Sequence, residues 1–161
     1  PLVHINIGFG LRNLRTAKGI IAIGNFSKGI ISIGGVAFGL LSLGGISIGL
    51  FALGGFAMAL LLAIGALSIG TIAIGGMALG ILAIGGLSVG IYSVGGCAIA
   101  KNIAAGGYAQ GHIAIGEEVN GSIKFLTSNI TESTSIEIKN AILKEFPNTW
   151  NIIVSIFSNI I

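Results

Sequence analysis

Aspartate is absent from the sequence, and charge of either sign is scarce. Charged residues make up 8% of the chain, against about a quarter in an ordinary soluble domain. Residues 29–100, between Lys28 and Lys101, carry no charged side chain at all, and no Asn, Gln, His, Pro or Trp. The polar side chains in that stretch are Ser32, Ser42, Ser47, Ser68, Thr71, Ser88, Ser93 and the hydroxyl of Tyr92. With a mean hydropathy of +1.01, this points to a bilayer or a packed assembly. A single cysteine, Cys97, excludes an intramolecular disulfide framework. The net charge of +3 rests on too few residues to imply nucleic-acid binding.

Chemistry-bearing motifs are missing too. There is no Walker A sequence, no GxSxG and no CxxC. His4 and His112 lie far apart in sequence and read as polar residues near a rim rather than metal ligands. Cys97 occupies a large-apolar position beside Gly96, so it reads as a packed thiol. Glu117-Glu118 reads as a solvated rim rather than an acid/base pair. The expectation is a protein without catalysis, cofactor or metal.

What is present is a repeat, and self-similarity has to be read first. The unit is five residues: Gly, a variable position, a large apolar residue, Ala or Ser, and a second large apolar residue. Coil corners are expected at Gly34, Gly39, Gly44, Gly49 and Gly54, and again at Gly75, Gly80, Gly85, Gly90 and Gly95. Ala59 and Ala100 stand in for Gly, and each opens a unit with one extra residue, which resembles a β-bulge. The variable position alternates between small and large, as in Gly35, Leu40, Gly45, Leu50, so the full repeat is ten residues. A coil of ten is too tight to hold a side-chain core. A square coil of about 20 residues fits both the alternation and the bulge spacing, giving about five coils.

A long apolar run usually means transmembrane helices. Here glycine every fifth residue would be scattered around a helix, each costing roughly 1 kcal/mol relative to Ala. Abundant Ile favours strands. A corner with unusual backbone angles every five residues would explain the glycines. The fold class expected is therefore an all-β solenoid with a short C-terminal α-helical appendage. Either assignment of inward and outward residues leaves an apolar exterior, so lipid or a dry partner must cover it. Coils stacked along the membrane normal keep their backbone groups paired. Five coils of about 4.8 Å give roughly 24 Å, short of the roughly 30 Å hydrocarbon core.

The expected organisation is 1–18 as an N-terminal strand and basic turn, 19–120 as the solenoid, and 121–161 as a linker with two short amphipathic helices. Leu2 to Ile7 alternates as a strand, and residues 11–18 read as a basic turn or hairpin tip. Thr134 and Glu137 match a capping box, placing a helix over about 135–146. Pro147 ends it. A second helix over 149–161 suits a membrane interface or a cap over the open coil edge. Candidate interface residues are Arg12, Arg15, Lys18, Lys28, Lys101 and Trp150. The basic end is expected to face the cytoplasm.

The pentads resemble the pentapeptide-repeat family of square β-solenoids, although that family carries polar outward positions. A closer likeness is to a group of bacterial proteins of unassigned activity with glycine-rich GG-φ-A-φ-G repeats. It rests on Pro1-Leu2-Val3-His4-Ile5, Lys18-Gly19-Ile20-Ile21-Ala22-Ile23-Gly24-Asn25 and Ile91-Tyr92-Ser93-Val94-Gly95-Gly96, and covers roughly residues 1–116. It implies a membrane setting and no activity. The expected function is a membrane-embedded scaffold or oligomerisation module without catalysis, in a bacterial cytoplasmic membrane. Partners would be the bilayer or detergent and further copies or other membrane subunits. The alternatives are a hydrophobic extracellular fibre subunit and a helical transporter or channel subunit.

Overall fold

A computed structural model describes residues 2–6, 16–126, 132–149 and 151–159. The chain order is β1 (Val3–Asn6), β2 (Thr16–Gly24), β3 (Phe26–Gln110), β4 (Ile113–Asn120), β5 (Ile123–Leu126), α1 (Glu132–Glu145) and α2 (Asn151–Asn159). The strands pair in parallel in the order β1-β2-β3-β4-β5. The fold is a β-solenoid with two short helices, and the helical reading of residues 30–100 falls. The chain divides into two compact units, Pro1–Leu87 and Ser88–Ile161.

The coil size differs from the expectation. Lys18 pairs with Lys28 and Ile21 with Ile31; Ile103 pairs with Ile113, and Ile113 with Ile123. One coil is therefore ten residues, two pentads, and the chain makes about eleven turns rather than five. The reason lies in which residues point inward. In the first unit the interior of one side holds Ala22, Ser32, Ser42, Ala52, Ala63, Ala73 and Ala83. The other side contributes Ala17, Ser27, Ala37, Ser47, Ala57, Ser68 and Ala78. All are buried. Ala52, Ala57 and Ala63 form one buried cluster, and Ala73, Ala78 and Ala83 another, so the two columns meet. A ten-residue coil is too tight for Leu or Ile inside, but not for Ala and Ser. Period-two alternation then sends both large residues of every pentad outward.

The inward serines are not misplaced. Ser42 Oγ donates to the Phe51 carbonyl at 3.3 Å, and Ser68 Oγ to that of Met77 at 3.3 Å, each in the next coil. Ser27 and Ser32 place buried hydroxyls without a partner.

The glycines also have a different cause from the one expected. Among the described residues no glycine has positive φ. Instead, a Cβ on Gly34, Gly44 or Gly54 would overlap the carbonyl oxygen of the glycine one coil earlier. Close backbone approach, not unusual backbone angles, demands glycine there. Gly39, Gly49, Gly75, Gly80 and Gly85 have the same environment. The stacking offset rises to eleven residues where Gly65 lies over Gly54 and Gly70 over Ala59. In the second unit it rises again where Gly106 lies over Gly95 and Gly111 over Ala100. The extra residues therefore sit in the units opened by Ala59 and Ala100.

Paired strands extend past 19–120, from Thr16 to Leu126. β1 runs parallel to β2, with Val3 opposite Ile21, and Thr16, Ala17 and Lys18 are already strand; the rest of the expected basic turn, 11–15, lies outside the described residues. In the second unit α1 and α2 lie on the outer wall of the coils. Ile138 and Ile142 of α1 and Val154 and Phe157 of α2 form one buried cluster with Ile103, Ala105, Ile113 and Ile115. Helix α2 thus packs on a wall rather than over a coil edge. Helix α1 begins at Glu132, which places Thr134 and Glu137 inside it; they do not mark its start. Phe146 N–H closes the last turn onto the Ile142 carbonyl at 2.8 Å, just before Pro147.

Candidate functional site

The candidate surface is the wall itself. Because the coil is ten residues, outward residues ten apart stack into columns parallel to the coil axis. In the first unit Lys18, Lys28, Phe38, Ile48 and Met58 form one column, and Ile20, Ile30, Leu40, Leu50 and Leu60 another. Between them run Gly19, Gly29 and Gly39. The result is a shallow groove lined by Gly19, Ile20, Lys28, Gly29, Ile30, Phe38, Gly39 and Ile48. A similar groove is lined by Ala59, Leu60, Ile69, Gly70, Thr71, Leu79, Gly80 and Ile81. Glycine forms the floor because the neighbouring carbonyl leaves no room for a side chain. The opposite edge carries Gly35, Gly45, Gly55, Gly76 and Gly86, all exposed, and so presents bare backbone.

Among the described residues, both flat faces of the first unit beyond Lys28 are apolar and uncovered. Ile30 and Leu40 are 52% and 54% exposed, and Leu60 is 70% exposed. The second unit is built differently. Its face bearing Ile103, Ile113 and Ile115 is covered by the helices. Its last coils expose polar side chains, Lys101, Gln110, Glu117, Glu118 and Asn120, beside single apolar ones such as Ile99 and Leu126, and the groove there is lined by Ile99, Lys101, Gln110, His112, Asn120 and Ser122 among others.

The sequence-predicted interface residues scatter accordingly. Lys18 and Lys28 are exposed and stacked in register at the start of the first unit. Lys101 is exposed in the second unit. Arg12, Arg15 and Trp150 lie outside the described residues. Gly90 and Gly95 lie on β3 in the second unit.

His4 caps the first coil. It pairs in register with inward-pointing Ala22. Its Nδ1 lies 3.2 Å from the Lys18 nitrogen and 3.3 Å from the Lys18 carbonyl oxygen. In either tautomer the ring meets a backbone group of the coil edge. His112 Nε2 lies 3.3 Å from Glu145 Oε2, with the Phe146 ring edge-on to it at 5.8 Å, so it ties a corner of the wall to the end of α1. Cys97 is a half-buried free thiol. Among the described residues no cluster of His, Cys, Asp or Glu could hold a metal ion.

Two features escaped the sequence reading. The grooves become visible only once the coil length is known. The helices' target, the Ile103-Ile113-Ile115 wall, had a signal in the polar residues that replace apolar ones on the other face. Among the described residues no helix is long and apolar enough to cross a membrane. No known protein family, curated protein or solved structure matches the chain.

Proposed function

We propose that the first unit is a membrane-embedded β-solenoid that serves as a structural scaffold or oligomerisation module, without catalysis. One observation carries this reading. In the second unit the Ile103-Ile113-Ile115 wall is covered by helices and the other face carries Lys101, Gln110, Glu117, Glu118 and Asn120; in the first unit the described wall beyond Lys28 is apolar and uncovered. Exposed apolar patches of that extent mark a lipid or protein contact.

The coil height supports the same reading. The uncharged part of the first unit, residues 29–87, is about six coils, or roughly 28 Å at about 4.8 Å per coil. That is close to the roughly 30 Å hydrocarbon core, and it removes the shortfall of a twenty-residue coil. Backbone groups inside the band bond from coil to coil, as Val36 N–H does to the Asn25 carbonyl at 2.9 Å, which meets the demand of a solvent without hydrogen bonds. Lys18 and Lys28 mark the end that faces head groups, and by charge bias the cytoplasm of a bacterial cell.

Membrane flotation tests it. The full chain is expressed, its membranes are washed with alkaline carbonate, and the washed material is floated on a density gradient. Expected is flotation with lipid, and release only by detergent. Release by carbonate would overturn the reading. Sedimentation as lipid-free aggregates would favour a self-assembling fibre instead.

A further inference from the structure

The first unit holds no acidic residue: all five glutamates of the chain lie at 117, 118, 132, 137 and 145. Yet Lys18 and Lys28 stand directly over one another on adjacent coils, both exposed. Like charges opposite each other in a sheet repel, and within this unit no carboxylate can offset them. The counter-charge has to come from outside.

The surroundings of the pair define what brings it. The lysine column continues without interruption into Phe38, Ile48 and Met58, and the groove beside it is walled by Ile20, Ile30, Phe38 and Ile48 over a glycine floor. One end of the groove is cationic and the rest is apolar, in a line parallel to the coil axis. A soluble phosphate would satisfy the lysines and leave the groove empty. An anionic phospholipid satisfies both.

We propose that Lys18 and Lys28 with this groove form a binding site for an anionic phospholipid. The two ammonium groups hold the phosphate, and one acyl chain lies along Phe38 and Ile48 toward the bilayer centre. The site rests on the lipid-covered wall proposed above and adds a head-group preference to it. The groove of the second unit has Ile99 as its one large apolar side chain, among Lys101, Gln110, His112 and Asn120, and so lacks a continuous apolar wall for an acyl chain.

The test uses the full chain purified in a neutral detergent. Phosphatidylglycerol and phosphatidylcholine with identical acyl chains are added to the micelles, and the lipid retained is measured by native mass spectrometry. Expected is retention of phosphatidylglycerol over phosphatidylcholine by roughly tenfold, weakened by salt. The double variant Lys18→Gln, Lys28→Gln should lose that preference, and Lys101→Gln should keep it. Ile48→Ser should lower retention of both lipids. Soluble glycerol phosphate should not displace the lipid. Equal retention of the two lipids, an unchanged preference in the double variant, or displacement by glycerol phosphate would each overturn the proposal. Because the assay is done in micelles, it is independent of flotation. A wild-type chain that floats without a lipid preference sinks this site alone. One that binds phosphatidylglycerol but fails to float sinks the membrane reading alone.

Discussion

The carbonyl oxygen of Gly24 fills the space in which a side chain on Gly34 would begin. The next residue, Gly35, is less confined: the nearest atom to a Cβ there is the Asn25 carbonyl oxygen at 3.2 Å. The two glycines of one corner therefore differ in kind. Gly34→Ala is expected to destabilise the first unit by about 3 kcal/mol or more, since backbone would have to move. Gly35→Ala should stay within about 1 kcal/mol. Thermal unfolding in detergent, followed by circular dichroism, separates them. Equal losses would mean that the glycines act through flexibility rather than through contact.

The interior makes a second asymmetry. Ser42 Oγ has the Phe51 carbonyl to donate to, whereas Ser32 Oγ is buried without a partner. Ser42→Ala should cost about 1 kcal/mol, and Ser32→Ala should be neutral or stabilising, because it removes an unsatisfied hydroxyl. Urea midpoints of the two variants in the same detergent provide the check, and a larger loss at Ser32 would contradict it.

Much of this was legible in the sequence, and the part that was not has one cause. Gly every fifth residue, with the extra residue after Ala59 and after Ala100, foretold stacked strands and a shifted register. The alternation of Gly35, Leu40, Gly45, Leu50 already stated the coil length, since a corner that repeats every ten residues is a coil of ten. The larger coil followed from judging ten residues too tight for any side-chain core, which is true of Leu and Ile but not of Ala and Ser. Where the exterior is not water, Ile46 and Ile48 gain nothing by turning inward, and Ser47 can take the interior. Residues stacked ten apart, such as Lys18 and Lys28, could not be recognised as neighbours until the coil length was known.

Register gives a third prediction. The unit opened by Ala59 has one residue more than a pentad, so deleting Leu61 leaves Ala-Leu-Leu-Ala-Ile, an ordinary unit with Ala63 still inward. Deleting Leu41 instead shifts all that follows by one residue and turns the bulky positions toward the interior. The first deletion should retain the β-rich circular dichroism spectrum and wild-type yield, the second should lose both. Loss of folding on deleting Leu61 would show that the bulge is required.

Phe157 tests the second unit. It is fully buried between the helices and the wall, and its ring centroid lies 6.5 Å from that of Tyr92. Phe157→Ala should cost about 3–5 kcal/mol locally. Hydrogen exchange should then speed up for amides of α1, α2 and residues 103–115, while residues 30–60 keep their protection. Uniform loss of protection along the chain would mean that the units do not unfold separately.

Met58 offers the sharpest test of what surrounds the wall. It stands in the same column as Lys18 and Lys28 and is 38% exposed, so a lysine there meets the same coil geometry that two natural lysines already occupy. What differs is depth. Three coils separate Met58 from Lys28, roughly 14 Å, so in the proposed membrane placement Met58 lies near the middle of a hydrocarbon layer roughly 30 Å thick. Met58→Lys is therefore expected to leave the fold unharmed in detergent, where the head group of a micelle is close. In a bilayer it should cost about 2–4 kcal/mol, the range seen for lysine at the midplane of membrane barrels. Lys28→Met, the reverse change at the rim, should cost almost nothing in either. Reconstitution yield into vesicles, compared with the unfolding midpoint in detergent, reads the two effects apart. If Met58→Lys enters vesicles as well as the wild type does, lipid is not what covers this wall.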